Sequence, residues 1–509
     1  MEYTLTVDPA RTLGEVNPLV FGHFIEHLGR CIYGGVYEPG SPLADERGFR
    51  TDVLAAMRRI GVPVLRWPGG NFASNYHWED GIGPRDERPA RLDLAWQSAE
   101  PNTFGTDEFL AYCDALSTAR TPCQPYICLN TGTGTLDEAV RWLEYCNVDA
   151  DRYPTHHARW RKRLGRTEPY GVPFWGIGNE VYGAWQVGHA TAEAYGDRCI
   201  QWARFLKAVD PTVRVVAVGA NQPDWDLEVL KRAGRLVDYI SNHQYYGRED
   251  YEGTVAGAVD AERRLKVLCS VAEVAEAIVG RETPIEIAFD EWNIWYRGRE
   301  RPWEEFYALK DGVFAAGVFN GLFRLSRRVT MANLAQMVNA LGMLHTTPTG
   351  LVRSPIYHVF DLYANHTGRT VLDAALRAED GEARETFSAD VAVRVSGRPV
   401  PRPRLVKDVP YLDAVATSGE DGDGPYVAVA AVNRHPRRTA SLRCDLTTFR
   451  ARSVDVHVLT GPDPLQENTP EAPDAVAPQS SRLEAAPAAL SLPPCSVTIL
   501  KWRQGPPGR

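Results

Sequence analysis

The sequence predicts a (β/α)8 TIM barrel with a C-terminal antiparallel β-sandwich that also takes in the N-terminal strand. Three observations carry this. Eight short, continuous apolar runs alternate with stretches of helical period, and a continuous run is how a strand reads when helices cover the sheet. Polar or aromatic clusters follow these runs, as on the face of a barrel where its strands end and its chemistry sits. Beyond about residue 366 helical period gives way to the period-two alternation of antiparallel strands. The catalytic barrel is accordingly assigned to residues 14–365, and the sandwich to residues 1–13 plus 366–509. A chain of 509 residues has room for both.

Taken in order, Tyr3, Thr4, Leu5, Thr6 and Val7 alternate as a half-exposed strand that needs partners from elsewhere. The eight runs are residues 19–24, 62–67, 124–129, 174–177, 213–218, 237–240, 285–289 and 334–341. Residues 335–344 also fit the continuation of a helix, so the eighth run is the least distinct. Helical period is plain in Tyr195, Cys199, Trp202, Phe205, Leu206 and Val209, which Pro211 closes. It recurs over 51–60, 106–116, 136–145, 261–277 and 305–323. Strands of the sandwich are expected over 412–417, 426–433, 439–446, 454–459, 488–492 and 496–502, with Asp421-Gly422-Asp423-Gly424 as a turn. Residues 461–485 read as a long exposed loop, and Gln504 to Arg509 as a disordered tail.

Composition narrows the function. Hydrophobic residues make up 44% and charged residues 24%, as in an ordinary soluble globular protein. A net charge of -9 without a basic patch argues against nucleic acid and anionic membranes as partners. The first residues lack the basic start and apolar core of a signal peptide, and no run of about 18 apolar residues occurs, so a cytoplasmic location is expected. Nine cysteines without paired spacing read as reduced core residues rather than zinc ligands. His23 and His27 stand four apart, the spacing of a shared metal on a helix. The strand-like Pro18-Leu19-Val20-Phe21 before them argues against that helix, and neither metal nor cofactor is expected.

Two stretches carry the chemistry. Phe174-Trp175-Gly176-Ile177-Gly178-Asn179-Glu180 ends the fourth run in an amide and a carboxylate, and Ile285 to Asn293 ends the seventh in Asp290-Glu291-Trp292-Asn293. With 65 acidic residues in the chain, either carboxylate alone would be an ordinary loop residue. Both at the ends of barrel strands that face each other read as a general acid/base, Glu180, and a nucleophile, Glu291, the pair that splits a glycosidic bond. An ionised Glu291 would keep Glu180 protonated near neutral pH. Asn179 would offer its amide to a sugar hydroxyl, and Glu26 would bind rather than react. Asp290 should point away from Glu291 if the strand alternates. Twelve of the 13 tryptophans fall between residues 67 and 303. Trp67, Trp78, Trp96, Trp185, Trp292 and Trp295 lie in or beside loops after strands, with Trp295 read as a sugar-stacking ring and the rest as wall and packing.

Three long motifs, Phe21 to Gly35, Arg66-Trp67-Pro68-Gly69-Gly70-Asn71-Phe72 and Tyr76 to Pro84, resemble the opening half of the family 51 glycoside hydrolases. Phe104 to Phe109, Gly178-Asn179-Glu180, Asp290-Glu291-Trp292-Asn293 and Asn333-Leu334-Ala335-Gln336 continue the match. Members are mostly retaining α-L-arabinofuranosidases, and the intracellular bacterial branch is the most similar. The resemblance implies Glu180 as acid/base and Glu291 as nucleophile, with Glu26, Asn71, Asn179, Tyr245 and Gln336 binding the furanose. Tyr245 would also bond the nucleophile, Arg66 and His243 would support it, and Trp295 would line the pocket. It further implies arabinofuranose-containing oligosaccharides as substrates, no metal, and a homo-oligomer, often a hexamer. Val181-Tyr182-Gly183-Ala184-Trp185 departs from the Met-Asp-Gly-Pro-Trp of that branch, and Asn242 replaces an apolar residue. Other furanosides such as galactofuranosides, an endo-acting glycanase, a catalytically silent sugar-binding protein and a metal-dependent hydrolase using His23 and His27 are the alternatives.

Overall fold

The computed structural model describes residues 1–247, 250–296, 303–379, 384–394 and 402–504. Eight strands, Gly22–Phe24, Val64–Trp67, Gln124–Cys128, Phe174–Gly176, Arg214–Ala217, Tyr239–Tyr246, Glu286–Ile294 and Val329–Ala335, pair in parallel in that order. The eighth pairs with the first, Asn333 opposite Gly22, and closes the barrel. Its floor is a plug of Leu19, Val64, Tyr126, Phe174, Val216, Tyr239, Ala288 and Met331, one from each strand or its approach. Inward side chains of a barrel fill it in such layers, so the site above stands on packed apolar ground. Helices cover the outside, and several start at a side-chain cap: Thr135, Thr155, Thr191 and Asp250 each accept from a first-turn backbone N–H.

Two strands sit differently from expectation. Pro18–Phe21 is a turn of 3-10 helix, its first free N–H, that of Leu19, donated to Asn17 Oδ1, and the first strand begins only at Gly22. The eighth strand runs over Val329–Ala335, ahead of the apolar run at 334–341. Thr330 and Asn333 conceal it in the sequence, and both are buried with partners, Asn333 donating to the His23 carbonyl at 2.8 Å.

Nine of the remaining strands form a sheet that curls around one apolar core including Leu5, Val7, Val429, Leu442, Leu500 and Trp502. Glu2–Glu15 lies inside it, antiparallel to Thr370–Ala378 and parallel to Ala440–Asp445. Asp413, from the sandwich strand Leu412–Asp421, fastens this sheet to the barrel helix Leu309–Arg324. It accepts from Arg324 and Arg434 at 3.0 Å and from Asn320 at 3.2 Å. The strands Thr386–Arg394 and Arg402–Pro410 do not join that sheet. The first pairs antiparallel with barrel strand six, Val393 opposite Tyr246, so a hairpin extends the barrel sheet outward. Within 461–485, Gln479–Leu483 forms an exposed strand against Ser453–Leu459. Of the expected disordered tail, residues 505–509 lie outside the described residues. Among the described residues no helix is long and apolar enough to cross a membrane.

Candidate active site

Glu180 follows strand four through Gly178 at φ +87° and itself sits in the left-handed region at φ +42°. That conformation is unusual for a residue with a Cβ and costs on the order of 1 kcal/mol or more, which the surrounding contacts must offset. Both carboxylate oxygens are engaged. Tyr182 Oη donates to Oε1 and Trp185 Nε1 to Oε2, each at 3.2 Å, and His243 Nδ1 lies 3.1 Å from Oε1. Tyr182 therefore occupies the hydrogen-bonding shell of Glu180 itself.

Glu291 is held from strands two and six. Arg66 Nη1 donates to its Oε1 at 2.6 Å, and Tyr245 Oη to its Oε2 at 2.7 Å. Arg66 also donates from Nη2 to Asn179 Oδ1 at 2.7 Å, and Asn179 passes its amide on to Asn71 Oδ1 at 3.2 Å. One guanidinium thus fixes the nucleophile candidate and the two candidate sugar-binding amides together. Strand register puts His243 opposite Glu291 and Tyr245 opposite Asn293.

Asp290 does not point away. The register between strands six and seven slips between Ala288 and Glu291, and a bulge of this kind breaks the alternation that would have turned Asp290 outward. It lies wholly buried under the site and accepts from Tyr126 at 2.8 Å and Ser241 at 2.6 Å. His243 Nε2 is 3.4 Å from it and Arg66 Nε 3.7 Å. Burial pushes the Asp290 carboxyl up, but the charges of Arg66 and His243 outweigh that and bring it down to about 2.

The electrostatics differ from expectation at Glu180. Burial depresses the His243 imidazole, yet Glu291, Asp290 and Glu180 around it raise it to about 10, so it is an imidazolium at neutral pH. For Glu180, burial acts upward, but the hydrogen bond and charge of His243, with Trp185 and Tyr182, hold it below the usual glutamate range. In the resting site the proton is on His243, one hydrogen bond from Glu180, rather than on Glu180 itself.

Glu26 closes the other side. Its Oε1 accepts from Phe72 N at 3.0 Å and Trp96 Nε1 at 3.1 Å, and its Oε2 from Gln336 Nε2 at 3.2 Å. A Cβ on Gly70 would stand 2.8 Å from that Oε2, so the carboxyl rests where only glycine leaves room. Burial, then the charge of Glu291, pushes the Glu26 carboxyl up to about 8. The folded chain therefore keeps this proton up to about pH 8, whereas the unfolded chain loses it near 4.5. Stability is lost as pH rises between those values. Glu26→Gln removes this slope, and the wild type should lose on the order of 4 kcal/mol relative to the variant between pH 5 and 8. Urea unfolding of both at the two pH values measures it; parallel pH profiles would refute it.

Glu26, Asn71, Glu180, Tyr245, Glu291, Trp295 and Gln336 line one pocket, with Trp96 and Trp303. Trp303 packs against Trp96 at 4.8 Å and Trp295 at 5.4 Å between ring centroids, making an aromatic wall. Trp67, Trp78 and Trp292 are instead core residues. His23 and His27 do not converge. The His23 ring packs on Phe360, whereas His27 accepts from Trp67 Nε1 at 3.0 Å and meets Glu100 at 2.8 Å. Asp290, Trp96, Trp185 and Tyr182 are the members whose polar roles the sequence did not disclose. Among the described residues, Glu180, His243 and Glu291 also form a group with a metal-like donor set. One ligand atom from each lies within 4.8 Å of the other two. The imidazolium and Arg66 already neutralise charge there.

Comparison with known proteins gives a consistent picture. Residues 56–264 match the α-L-arabinofuranosidase 1 domain model and residues 290–496 the α-L-arabinofuranosidase C-terminal domain model. The thermostable GH51 α-L-arabinofuranosidase of Thermotoga petrophila RKU-1 is 44% identical with a TM-score of 0.90, over 98% of this chain and 99% of that one. The α-L-arabinofuranosidase C of Emericella nidulans is 38% identical over 98% of this chain and 97% of its own length. The intracellular exo-α-(1→5)-L-arabinofuranosidase of Halalkalibacterium halodurans is 34% identical over 90% and 89%.

Proposed function

Because the chain belongs to the α-L-arabinofuranosidases of glycoside hydrolase family 51, we propose that it removes terminal arabinofuranosyl residues from short oligosaccharides inside the cell by double displacement. Glu180 is the acid/base and Glu291 the nucleophile. The observation that carries this reading is the approach of the two carboxylates, one oxygen of each within 4.8 Å of the other. That approach supports direct attack, for which the two groups stand about 5 to 5.5 Å apart, over the wider separation of an inverting enzyme.

In the first step Glu291 attacks the anomeric carbon while the bond to the leaving oxygen breaks. Glu180 gives that oxygen a proton, drawn across its 3.1 Å contact with the His243 imidazolium. In the second step Glu180 takes a proton from water, the water oxygen bonds the anomeric carbon, and Glu291 departs as a carboxylate. Two inversions leave the configuration retained. Glu26, Asn71, Asn179 and Gln336 bind the furanose hydroxyls, and Trp295 lies along its face. The aromatic wall of Trp96, Trp295 and Trp303 along the pocket supports an exo action. The name of the H. halodurans relative agrees with an intracellular, exo-acting enzyme, and a homo-oligomer is part of the same reading.

A nitrophenyl α-L-arabinofuranoside should be turned over, whereas the matching galactofuranoside and pyranosides should not; no turnover at any pH would refute the reading. Glu180→Gln separates the roles. Oligosaccharides should lose about 10³-fold in kcat, while an activated aryl arabinofuranoside, whose leaving group needs no proton, should lose far less in the first step. Equal losses on both would remove Glu180 as the acid.

A further inference from the structure

Glu180 stands between two cavities. One is the sugar pocket; the other is a groove of about 1200 Å³ that begins at Glu180, Tyr182 and Trp185. The groove ends against a wall formed by the helix Tyr251–Val279 and the hairpin strand Arg402–Pro410. Its near end is aromatic, whereas its far wall carries Arg263, Arg264 and Arg404 against a single carboxylate, Asp260. Three cations against one anion leave an excess of two positive charges. Asp260 is fully committed: Oδ2 accepts from Arg264 Nε at 3.0 Å and Tyr246 Oη at 3.1 Å, and Oδ1 from Arg404 Nη1 at 3.1 Å. Arg263 spends one nitrogen on the Lys407 carbonyl at 2.8 Å, and the Arg404 side chain remains 47% exposed. The other ionisable groups on the groove add little charge. Glu180 and His243 compensate each other, and burial pushes the Asp226 carboxyl up to about 7, where two backbone N–H groups hold it.

The wall is continuous with the chemistry. Tyr245 binds Glu291, and the next residue of the same strand, Tyr246, binds Asp260. The hairpin that supplies Arg404 is itself hydrogen-bonded to that pair of tyrosines. A neutral glycan offers the remaining guanidinium donors only single uncharged hydroxyl acceptors, whereas a carboxylate can take two N–H donors from one guanidinium and match its charge. Resting on the reading of Glu180 as proton donor to the leaving group, we infer that this groove receives the leaving glycan and that Arg263 and Arg404 select glycans bearing a uronic acid. The substrates favoured are acidic arabinofuranosylated oligosaccharides, with the carboxylate on the leaving side of the scissile bond.

The test compares an arabinofuranosylated xylo-oligosaccharide with the same oligosaccharide carrying one glucuronic acid on its xylose chain. For the wild type at low salt, kcat/KM should favour the acidic substrate by about fivefold, most of it in KM, and this advantage should fade at about 0.5 M salt. The double variant R263Q/R404Q should bring the ratio of acidic to neutral substrate to about one, and R263E/R404E should invert it. Equal kcat/KM on the two substrates by the wild type, or a ratio untouched by either double variant, would overturn the proposal. So would a groove covered by a second copy of the chain, seen as no acidic preference together with a fall in sedimenting mass in both variants. Failure of the underlying reading has a different signature: neither oligosaccharide nor the nitrophenyl arabinofuranoside would be cleaved, and the proposal would fall with it.

Discussion

Glu291→Ala is expected to lower kcat about ten-thousandfold or more, and added azide to restore turnover of an activated aryl arabinofuranoside with inverted configuration. The geometry explains both halves. Arg66 at 2.6 Å and Tyr245 at 2.7 Å hold the carboxylate in place, and nothing else among the described residues of the pocket combines that position with a free lone pair. Truncation removes the side chain and leaves a space beside a guanidinium and a phenol. Azide, small and anionic, fits that space and attacks from the face the carboxylate used. Its nitrogen bonds the anomeric carbon as the bond to the aryl oxygen breaks, so a single inversion occurs. The anomer of the arabinofuranosyl azide, read by proton NMR, decides the matter. A product of retained configuration, or a variant as active as the wild type, would refute the nucleophile assignment.

Arg66→Met should cost about 3–5 kcal/mol of stability and on the order of 100-fold in kcat. Arg66 is buried, and its one guanidinium faces Glu291, Asp290 and Asn179. Methionine fills the volume but leaves Glu291 and Asp290 to share the His243 imidazolium as their one close cation among the described residues, and a carboxylate no longer aimed would miss the anomeric carbon. Arg66→Lys distinguishes charge from geometry. An ammonium replaces the charge, so much of the stability should return. It cannot bridge Glu291 and Asn179 in one plane, so kcat should stay low. Chemical denaturation and kinetics on the two variants measure these effects. Lysine restoring kcat along with stability would show that charge alone matters at this position.

The parts of the fold that could be read from the sequence are those fixed by local pattern. Seven of the apolar runs meet a barrel strand or its approach because a strand buried on both faces is mostly apolar below the mouth of the barrel. Strand eight escaped because Thr330 and Asn333 are buried with partners that only the folded barrel supplies. The hairpin at 386–410 alternates like any antiparallel pair, and alternation does not say which sheet a strand will join. In the site, Glu180 and Glu291 stand out because a strand ending in a carboxylate is visible locally. The position of Asp290 depends on a slip in register, and the placement of the proton on His243 depends on three carboxylates brought together from two strands, Asp290 and Glu291 from the seventh and Glu180 from the end of the fourth. Neither property belongs to any one segment. Tyr182 was visible as a departure from the family, but its bond to Glu180 was not.

The strand Glu2–Glu15 lies between Thr370–Ala378 and Ala440–Asp445, which fixes an order of events during synthesis. This segment is made more than 350 residues before either neighbour exists. Meanwhile the barrel can close without it, and its apolar face, Leu5 and Val7 included, has no core to enter. Until then the strand is without its partners and open to pairing with another nascent chain. Its apolar residues alternate with Glu2, Thr4 and Thr6, so the segment never presents an unbroken apolar run during that wait.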